Sequence, residues 1–227
     1  MRGVRKILGT DMRNFSHECR QPRPLRSDRN TARARSRALL AAGAAAAALL
    51  VSACGSGGTS GGGGQTGFVT GSDGIATAEE GERADAPELS GETVDGGQAD
   101  VADYRGKIVV LNVWGSWCGP CRAEAKNLEK VYTDTKDQGV QFVGINTRDT
   151  STGPARSFEQ DYGISYPSLY DPSGKLLLRF EKGTLNPQAI PSTLVIDREG
   201  KVAARTLQAL SEEKLRKMLD PFLQSEK

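Results

Sequence analysis

Residues 117–121 read Trp-Cys-Gly-Pro-Cys, and they sit where the hydrophobic pattern changes its period. Before them, residues 108–114 are Ile-Val-Val-Leu-Asn-Val-Trp, a continuous apolar run of the kind that forms a strand buried on both faces. After them, Ala125, Leu128, Val131 and Tyr132 recur with helical spacing. A strand must therefore become a helix within these few residues, and the junction carries two cysteines. There Cys118 sits at the helix N-terminus, where free N–H groups and the macrodipole favour a thiolate. Cys121 stands one helical turn further in, close enough to close a disulfide. Gly119 and Pro120 set the turn between them.

The N-terminal third has a different composition. An arginine-rich stretch is followed by the apolar run 38–51, Ala-Leu-Leu-Ala-Ala-Gly-Ala-Ala-Ala-Ala-Ala-Leu-Leu-Val, and then by Ser52, Ala53 and Cys54. Basic, apolar and small residues in that order predict a secretory signal peptide over residues 1–53. The run is shorter than the ~20 apolar residues a membrane-spanning helix needs. The tetrapeptide Val51-Ser52-Ala53-Cys54 resembles a bacterial lipobox, which implies lipidation of Cys54 and a membrane anchor on the outer face of the cell membrane. The basic stretch is long for a leader, and translation from Met12 would shorten it. No Arg-Arg pair precedes the apolar run, so twin-arginine export is not expected.

Removing such a leader changes what chemistry is left. Residues 1–53 hold 11 of the 30 Lys and Arg and 3 of the 28 Asp and Glu, so the remainder carries a formal charge of −6. No basic footprint for nucleic acid survives. Cys19 and His17, the only histidine, go with the leader. With Cys54 lipidated, Cys118 and Cys121 are the remaining thiols. A zinc site needs about four Cys, His or carboxylate ligands, usually Cys or His. Neither a metal nor a cofactor is expected. A structural bridge across two residues would close too small a loop to stabilise much, which favours a reversible redox pair.

Residues 55–86 are rich in Gly, Ser, Thr and acids, and too poor in apolar side chains to offset their ordering entropy. Residues 54–86 are therefore expected to be a lipidated cysteine and a flexible tether, and 87–227 a single folded domain, monomeric. Within it, 88–94 and 98–101 flank Asp95-Gly96-Gly97 and predict a hairpin. Gly139 should stop the helix begun at the cysteines, and 140–145 reads as a second buried strand. A short helix over 154–162 ends at Gly163, and 175–180 reads as another short helix. Strands over 192–196 and 202–207 surround the turn 197–200, and Ser211 caps a final amphipathic helix running to Leu223. The pattern predicts an α/β domain, a mixed sheet covered by helices on both faces.

Strand, Trp-Cys-Gly-Pro-Cys, helix, strand, then Ile190-Pro191-Ser192-Thr193 before a hairpin resembles the thioredoxin superfamily. Asp103-Tyr-Arg-Gly-Lys107, Cys121-Arg-Ala-Glu124 and the extra helix and strand between Thr147 and Tyr170 narrow the resemblance to the membrane-anchored TlpA/ResA-like thiol-disulfide oxidoreductases. It spans roughly residues 86–224. The branch often has proline where this chain has Lys126, a difference expected to affect the helix kink. The resemblance implies a thioredoxin fold with a central mixed β-sheet flanked by helices, an N-terminal β-hairpin and an inserted helix-strand segment.

It also implies roles. Cys118 is the expected nucleophile and Cys121 the resolving thiol. Pro191 is expected to follow a cis peptide bond, facing the cysteines and exposing the backbone of Ile190 to an extended client chain. Trp117 is expected to shape the surface around Cys118, and Trp114 to lie in the core. An acid in a first helical turn is, on its own, an ordinary surface group favoured by the dipole. The resemblance instead gives Glu124 a function: thioredoxin's buried aspartate is replaced here by Asn112, which leaves Glu124 to manage the proton of Cys121. The Gly-Pro pair between the cysteines resembles thioredoxin, typically near −270 mV, hence a reductant of protein disulfides. Implied partners are disulfide-containing clients such as apocytochrome c and a membrane electron donor.

Three other readings compete. Peroxiredoxins place a threonine three residues before the reactive cysteine, and here that position is Gly115. A copper chaperone of related fold would need a histidine. A non-catalytic lipoprotein capturing partners through its sheet edge would not depend on Cys118.

Overall fold

Every residue of the strand Ile108–Trp114 is buried, and it lies inside a seven-stranded sheet with neighbours on both sides. The computed structural model describes residues 66–224. The expected signal peptide, Cys54 and residues 54–65 of the expected tether lie outside the described residues.

In chain order the strands are β1 (Phe68–Thr70), β2 (Ile75–Ala78), β3 (Ser90–Glu92), β4 (Gln98–Asp100), β5 (Ile108–Trp114), β6 (Val140–Thr147), β7 (Ser168–Asp171), β8 (Ser192–Ile196) and β9 (Val202–Thr206). The helices are α1 (Gly119–Thr135), α2 (Thr152–Tyr162) and α3 (Glu212–Leu223). The main sheet runs β1-β2-β9-β8-β5-β6-β7, while β3 and β4 form the separate hairpin expected around Asp95-Gly96-Gly97. Strands β5, β6 and β7 pair in parallel, and β8 joins β5 antiparallel, so the sheet is mixed.

The tether expectation is corrected for its C-terminal part. Residues 66–86 are ordered: β1 pairs with β2, and β2 extends the sheet by pairing with β9, Ile75 opposite Thr206. The turn between β1 and β2 is closed by Gly71 N–H to the Ile75 carbonyl and Ile75 N–H to Asp73 Oδ1. Further along, Arg83 donates to Asp197 at 3.0 Å and Asp85 bridges Lys201, lacing the segment to the β8–β9 turn. β2 acquires its burial beside a partner strand more than a hundred residues away. The local excess of glycine, serine and acids hid β1 and β2.

Helices flank the mixed sheet, and the three α-helices and the shorter helical turns divide between its faces. β5–α1–β6 and β6–α2–β7 are successive parallel crossovers stepping in the same direction, and right-handed crossovers then put both helices on one face. That face carries Ile108, Val110 and Phe142 against Leu128 and Val131 of α1 and Leu215 and Leu219 of α3. Trp114 continues it and stacks on Phe158 of α2, ring centroids 4.4 Å apart. The opposite face, with Val109, Leu111 and Val113, is covered instead by Leu89, by Val101 and by Leu176, Leu177 and Phe180 around the 3-10 turn Leu177–Arg179. The 175–180 segment is thus a helical turn, as expected, and helps to cover this face.

Gly139 and Gly163 end their helical segments in left-handed conformations, φ 78° and 70°. Ser211 caps α3 by accepting from Lys214 N–H. Phe142 is fully buried between Tyr132 and Tyr166, with centroids at 5.5 and 5.6 Å. Phe142→Ala is expected to cost about 3–5 kcal/mol, as buried aromatic truncations do. Urea unfolding should show the midpoint falling with the slope unchanged.

Candidate functional site

The strand-to-helix junction expected at residues 117–121 lies between Trp114, the end of β5, and Gly119, the start of α1. Cys118 is the N-cap residue of α1, with extended backbone, and its Sγ accepts from the Cys121 N–H at 3.2 Å. That N–H is one of the unsatisfied donors of a helix start, so a charge left on sulfur here is stabilised by both the bond and the dipole. Cys118 and Cys121 are joined as a disulfide, S–S 2.01 Å. Cys118 and Cys121 are both buried, at 3% and 1% exposed, whereas Trp117 is 48% exposed beside them. Pro120 occupies the first turn of the helix, where its missing N–H costs nothing.

Across from the pair, the peptide bond between Ile190 and Pro191 is cis, and the Ile190 carbonyl oxygen lies 3.8 Å from Cys118 Sγ. Residues separated by seventy positions meet because β8, which begins at Ser192, pairs with β5, which ends at Trp114. Cys118, Cys121, Trp117, Gly119, Pro120, Ile190 and Pro191 therefore converge on one end of the sheet.

Glu124 lies beneath them and is 1% exposed, far from the surface group its position alone would predict. Asn112 Nδ2 donates to its Oε1 at 2.9 Å, and Leu210 N–H donates to its Oε2 at 2.8 Å. Asn112 also donates to Thr193 Oγ1 at 3.1 Å, tying β5, α1 and β8 together below the disulfide. Burial pushes the Glu124 carboxyl up to about 7, and the two hydrogen bonds offset only part of that cost. Asn112 and Cys121 share the wall of a small cavity, so Glu124 is one residue removed from the buried thiol.

Other residues at the site were not legible in the sequence. Asp149, just after β6 and buried, accepts from Ser116 N–H at 2.9 Å, from Ser116 Oγ at 2.5 Å and from Asn146 Nδ2 at 2.7 Å. Trp117 Nε1 donates to the Thr147 carbonyl at 3.3 Å, and the Arg148 guanidinium lies 5.8 Å from the Trp117 ring centroid. Arg148 has a left-handed backbone, φ 60°, which turns the chain so that both neighbours reach the cysteine loop. No motif spacing links residue 149 to residue 116. The available signal was a pair of polar residues, Arg148-Asp149, directly after a buried strand. Asp149→Ala would leave three donors without their acceptor, one a backbone N–H. It is expected to destabilise by about 2–4 kcal/mol and to change Trp117 emission, which urea titration followed by fluorescence would read.

Gly115 has no room for a side chain. A Cβ there would lie 2.6 Å from Trp117 Nε1 and 3.1 Å from the Thr147 carbonyl oxygen. The threonine that peroxiredoxins hold at this position would displace the tryptophan.

The AhpC/TSA family profile matches residues 83–205. The chain is 28% identical over 131 residues to the thiol-disulfide oxidoreductase ResA of Bacillus thuringiensis (strain Al Hakam), covering 58% of this chain and 72% of that protein. Among solved structures, it is similar to a DsbF homologue from Corynebacterium diphtheriae, with 39% identity, TM-score 0.61, and 66% and 94% of the two chains covered. It is also similar to a secreted thiol-disulfide isomerase from Corynebacterium glutamicum, with 30% identity, TM-score 0.62, and 66% and 92% covered.

Proposed function

This chain belongs to the AhpC/TSA family, within the thioredoxin superfamily, and it is a thiol-disulfide oxidoreductase; from that premise we propose that it reduces disulfides of other proteins outside the cytoplasm through the Cys118–Cys121 dithiol. One observation carries the reading. A cysteine sulfur at a helix N-terminus lies beside its partner sulfur and faces the Ile190 carbonyl across the fold.

The steps balance as a two-electron exchange. The Cys118 thiolate attacks one sulfur of a client disulfide. The client S–S bond breaks, a mixed disulfide forms, and the departing client thiolate takes up a proton. Cys121 then loses its proton, which Glu124 takes up by way of the small cavity walled by Asn112 and Cys121 rather than by direct contact, attacks Cys118 Sγ, and expels the client's second sulfur as a thiolate that is protonated in turn. The client leaves as a dithiol and the protein keeps the Cys118–Cys121 disulfide. A carboxyl poised at about 7 is suited to accept and return that proton at neutral pH. The backbone at Ile190, just before β8 and facing Cys118, is suited to pair with an extended client chain, with Trp117 beside it. A membrane electron donor restores the dithiol.

In this reading the protein is exported and held at the outer face of the cell membrane by a lipidated Cys54. Its clients include apocytochrome c, whose haem-binding Cys-Xaa-Xaa-Cys-His cysteines must be reduced before haem attachment. Gly115 argues against the peroxidase alternative, because the Trp117 ring fills the space of the threonine. The test is to mix pre-reduced protein with an oxidised Cys-Xaa-Xaa-Cys-His peptide and, separately, with hydrogen peroxide. The reading expects one peptide dithiol formed per protein dithiol consumed and slow loss of thiols to peroxide. Rapid peroxide reduction with an unreactive peptide would reverse it.

A further inference from the structure

The loop 181–190 that leads into Ile190 and Pro191 has little regular structure of its own, yet it forms one wall of the site. Its internal ties are few: Thr184 N–H to the Glu181 carbonyl, Ala189 N–H to the Asn186 carbonyl, and Gln188 N–H to Asn186 Oδ1. Leu185 is buried in the core and Ser192 Oγ donates to the Ala189 carbonyl, and two arginines hold the loop's remaining carbonyls to the domain. Arg148 donates to the Pro187 carbonyl at 2.6 Å and to Gln188 Oε1 at 3.1 Å, on the side nearest Trp117. At the far end, Arg205 Nη1 donates to the carbonyls of both Gly183 and Thr184.

Arg205 belongs to β9, opposite Ala76 of β2 on one side and Leu194 of β8 on the other. Its guanidinium lies 4.5 Å from the ring centroid of Phe68 in β1. It is a half-buried cation whose charge is balanced by two carbonyl dipoles and the negative face of an aromatic ring. Phe68 and Arg205 thus join the β1–β2 hairpin to the loop that carries Ile190. The hairpin is the segment whose composition reads as a tether. Nothing in the dithiol chemistry requires this contact, but it ties down the backbone carbonyls at the end of the loop away from Arg148.

We propose that Arg205, seated on Phe68, is a positioning residue that braces the loop 181–190 so that the Ile190 backbone is presented in register to an extended client chain. The inference rests on the client-docking reading above. A small aromatic disulfide needs only the cysteines, whereas a peptide disulfide needs the wall as well. The ordering of the wall before binding lowers the entropy cost of docking. Lysine at this position keeps the charge and a single nitrogen for the two carbonyls, but not the planar face that lies over the Phe68 ring.

The experiment uses pre-reduced full-length protein in single turnover. Its substrates are a blocked peptide closed by a Cys-Xaa-Xaa-Cys disulfide and 5,5′-dithiobis(2-nitrobenzoate), compared in wild type, Arg205→Gln, Arg205→Lys and Phe68→Leu. Wild type is expected to saturate with the peptide. Arg205→Gln should raise the half-saturating peptide concentration about tenfold, the size of two lost charge-assisted bonds partly replaced by water, with the limiting rate within about twofold. Phe68→Leu and Arg205→Lys should shift it in the same direction by less. The rate with the aromatic disulfide should stay within about twofold in all variants, because losing the brace leaves the cysteine loop intact. Peptide saturation unchanged in Arg205→Gln would overturn the brace and leave client docking standing. Equal loss on both substrates would also overturn it, by showing a general structural role. A wild type that does not saturate with peptide would overturn both.

Discussion

Cys118→Ser is expected to bring thiol–disulfide exchange down to the uncatalysed background, while Cys121→Ser keeps the first attack and accumulates a mixed disulfide. The asymmetry follows from position. Cys118 caps α1, and its sulfur receives the Cys121 N–H at the end of a 17-residue helix, so its thiolate is the stabilised one. Cys121 is walled by Trp114, Ala125 and Phe158, whereas Cys118 faces the Ile190 carbonyl and adjoins the exposed Trp117. A serine at 118 offers no nucleophile at neutral pH and no adjacent base to make one. With Cys121→Ser, the client stays bound through its sulfur, visible as a non-reducing gel shift reversed by dithiothreitol. A Cys118→Ser protein that kept its biological role would favour the non-catalytic partner-capturing alternative. Trapping through residue 121 instead of 118 would invert the assigned roles.

Glu124→Gln is expected to change both the pH dependence of stability and the second step of exchange. The folded-state pKa of about 7 stands above the ordinary 4.5 because burial opposes the charged form. Between these values the folded protein holds a proton that the unfolded chain has released. Stability therefore falls as pH rises from about 4.5 to about 7 and levels off above. Glutamine removes that dependence, so the variant gains on wild type by about 1–3 kcal/mol at pH 8 relative to pH 4.5. Asn112 turns its amide to accept from the new NH2, which preserves the packing. Glu159, also raised to about 7 by burial, contributes a slope of its own and remains in both proteins. The measurement is urea unfolding of the oxidised proteins across that range. A parallel pH profile in wild type and variant would contradict the assignment. At pH 7 the release of client from the mixed disulfide should slow by ~10- to 100-fold, the range of a lost acid–base group.

The chemistry was more legible than its support. Residues 108–121 announced strand, junction and helix because burial on both faces and helical spacing are local signals. Ile190-Pro191 reached the site through resemblance, and the pairing of β5 with β8 gives the physical reason it lies there. Asp149 was silent, because two of its three donors belong to Ser116 and meet it only after β5 and β6 align. The same holds for Ile75, which looks like an isolated apolar residue in a polar stretch until β9 pairs with β2. Helix placement on one face needed the strand order, since the right-handed crossover rule acts on direction across the sheet and the sequence does not display that direction.

The central claim is that the dithiol donates electrons to protein disulfides. Equilibrium titration of the Cys118–Cys121 pair against dithiothreitol couples, read by thiol alkylation, tests it most directly. A midpoint near the ~−270 mV typical of thioredoxin is the predicted result. A midpoint above about −150 mV, approaching the ~−120 mV of a strong disulfide oxidant, would contradict it and reverse the direction of electron flow.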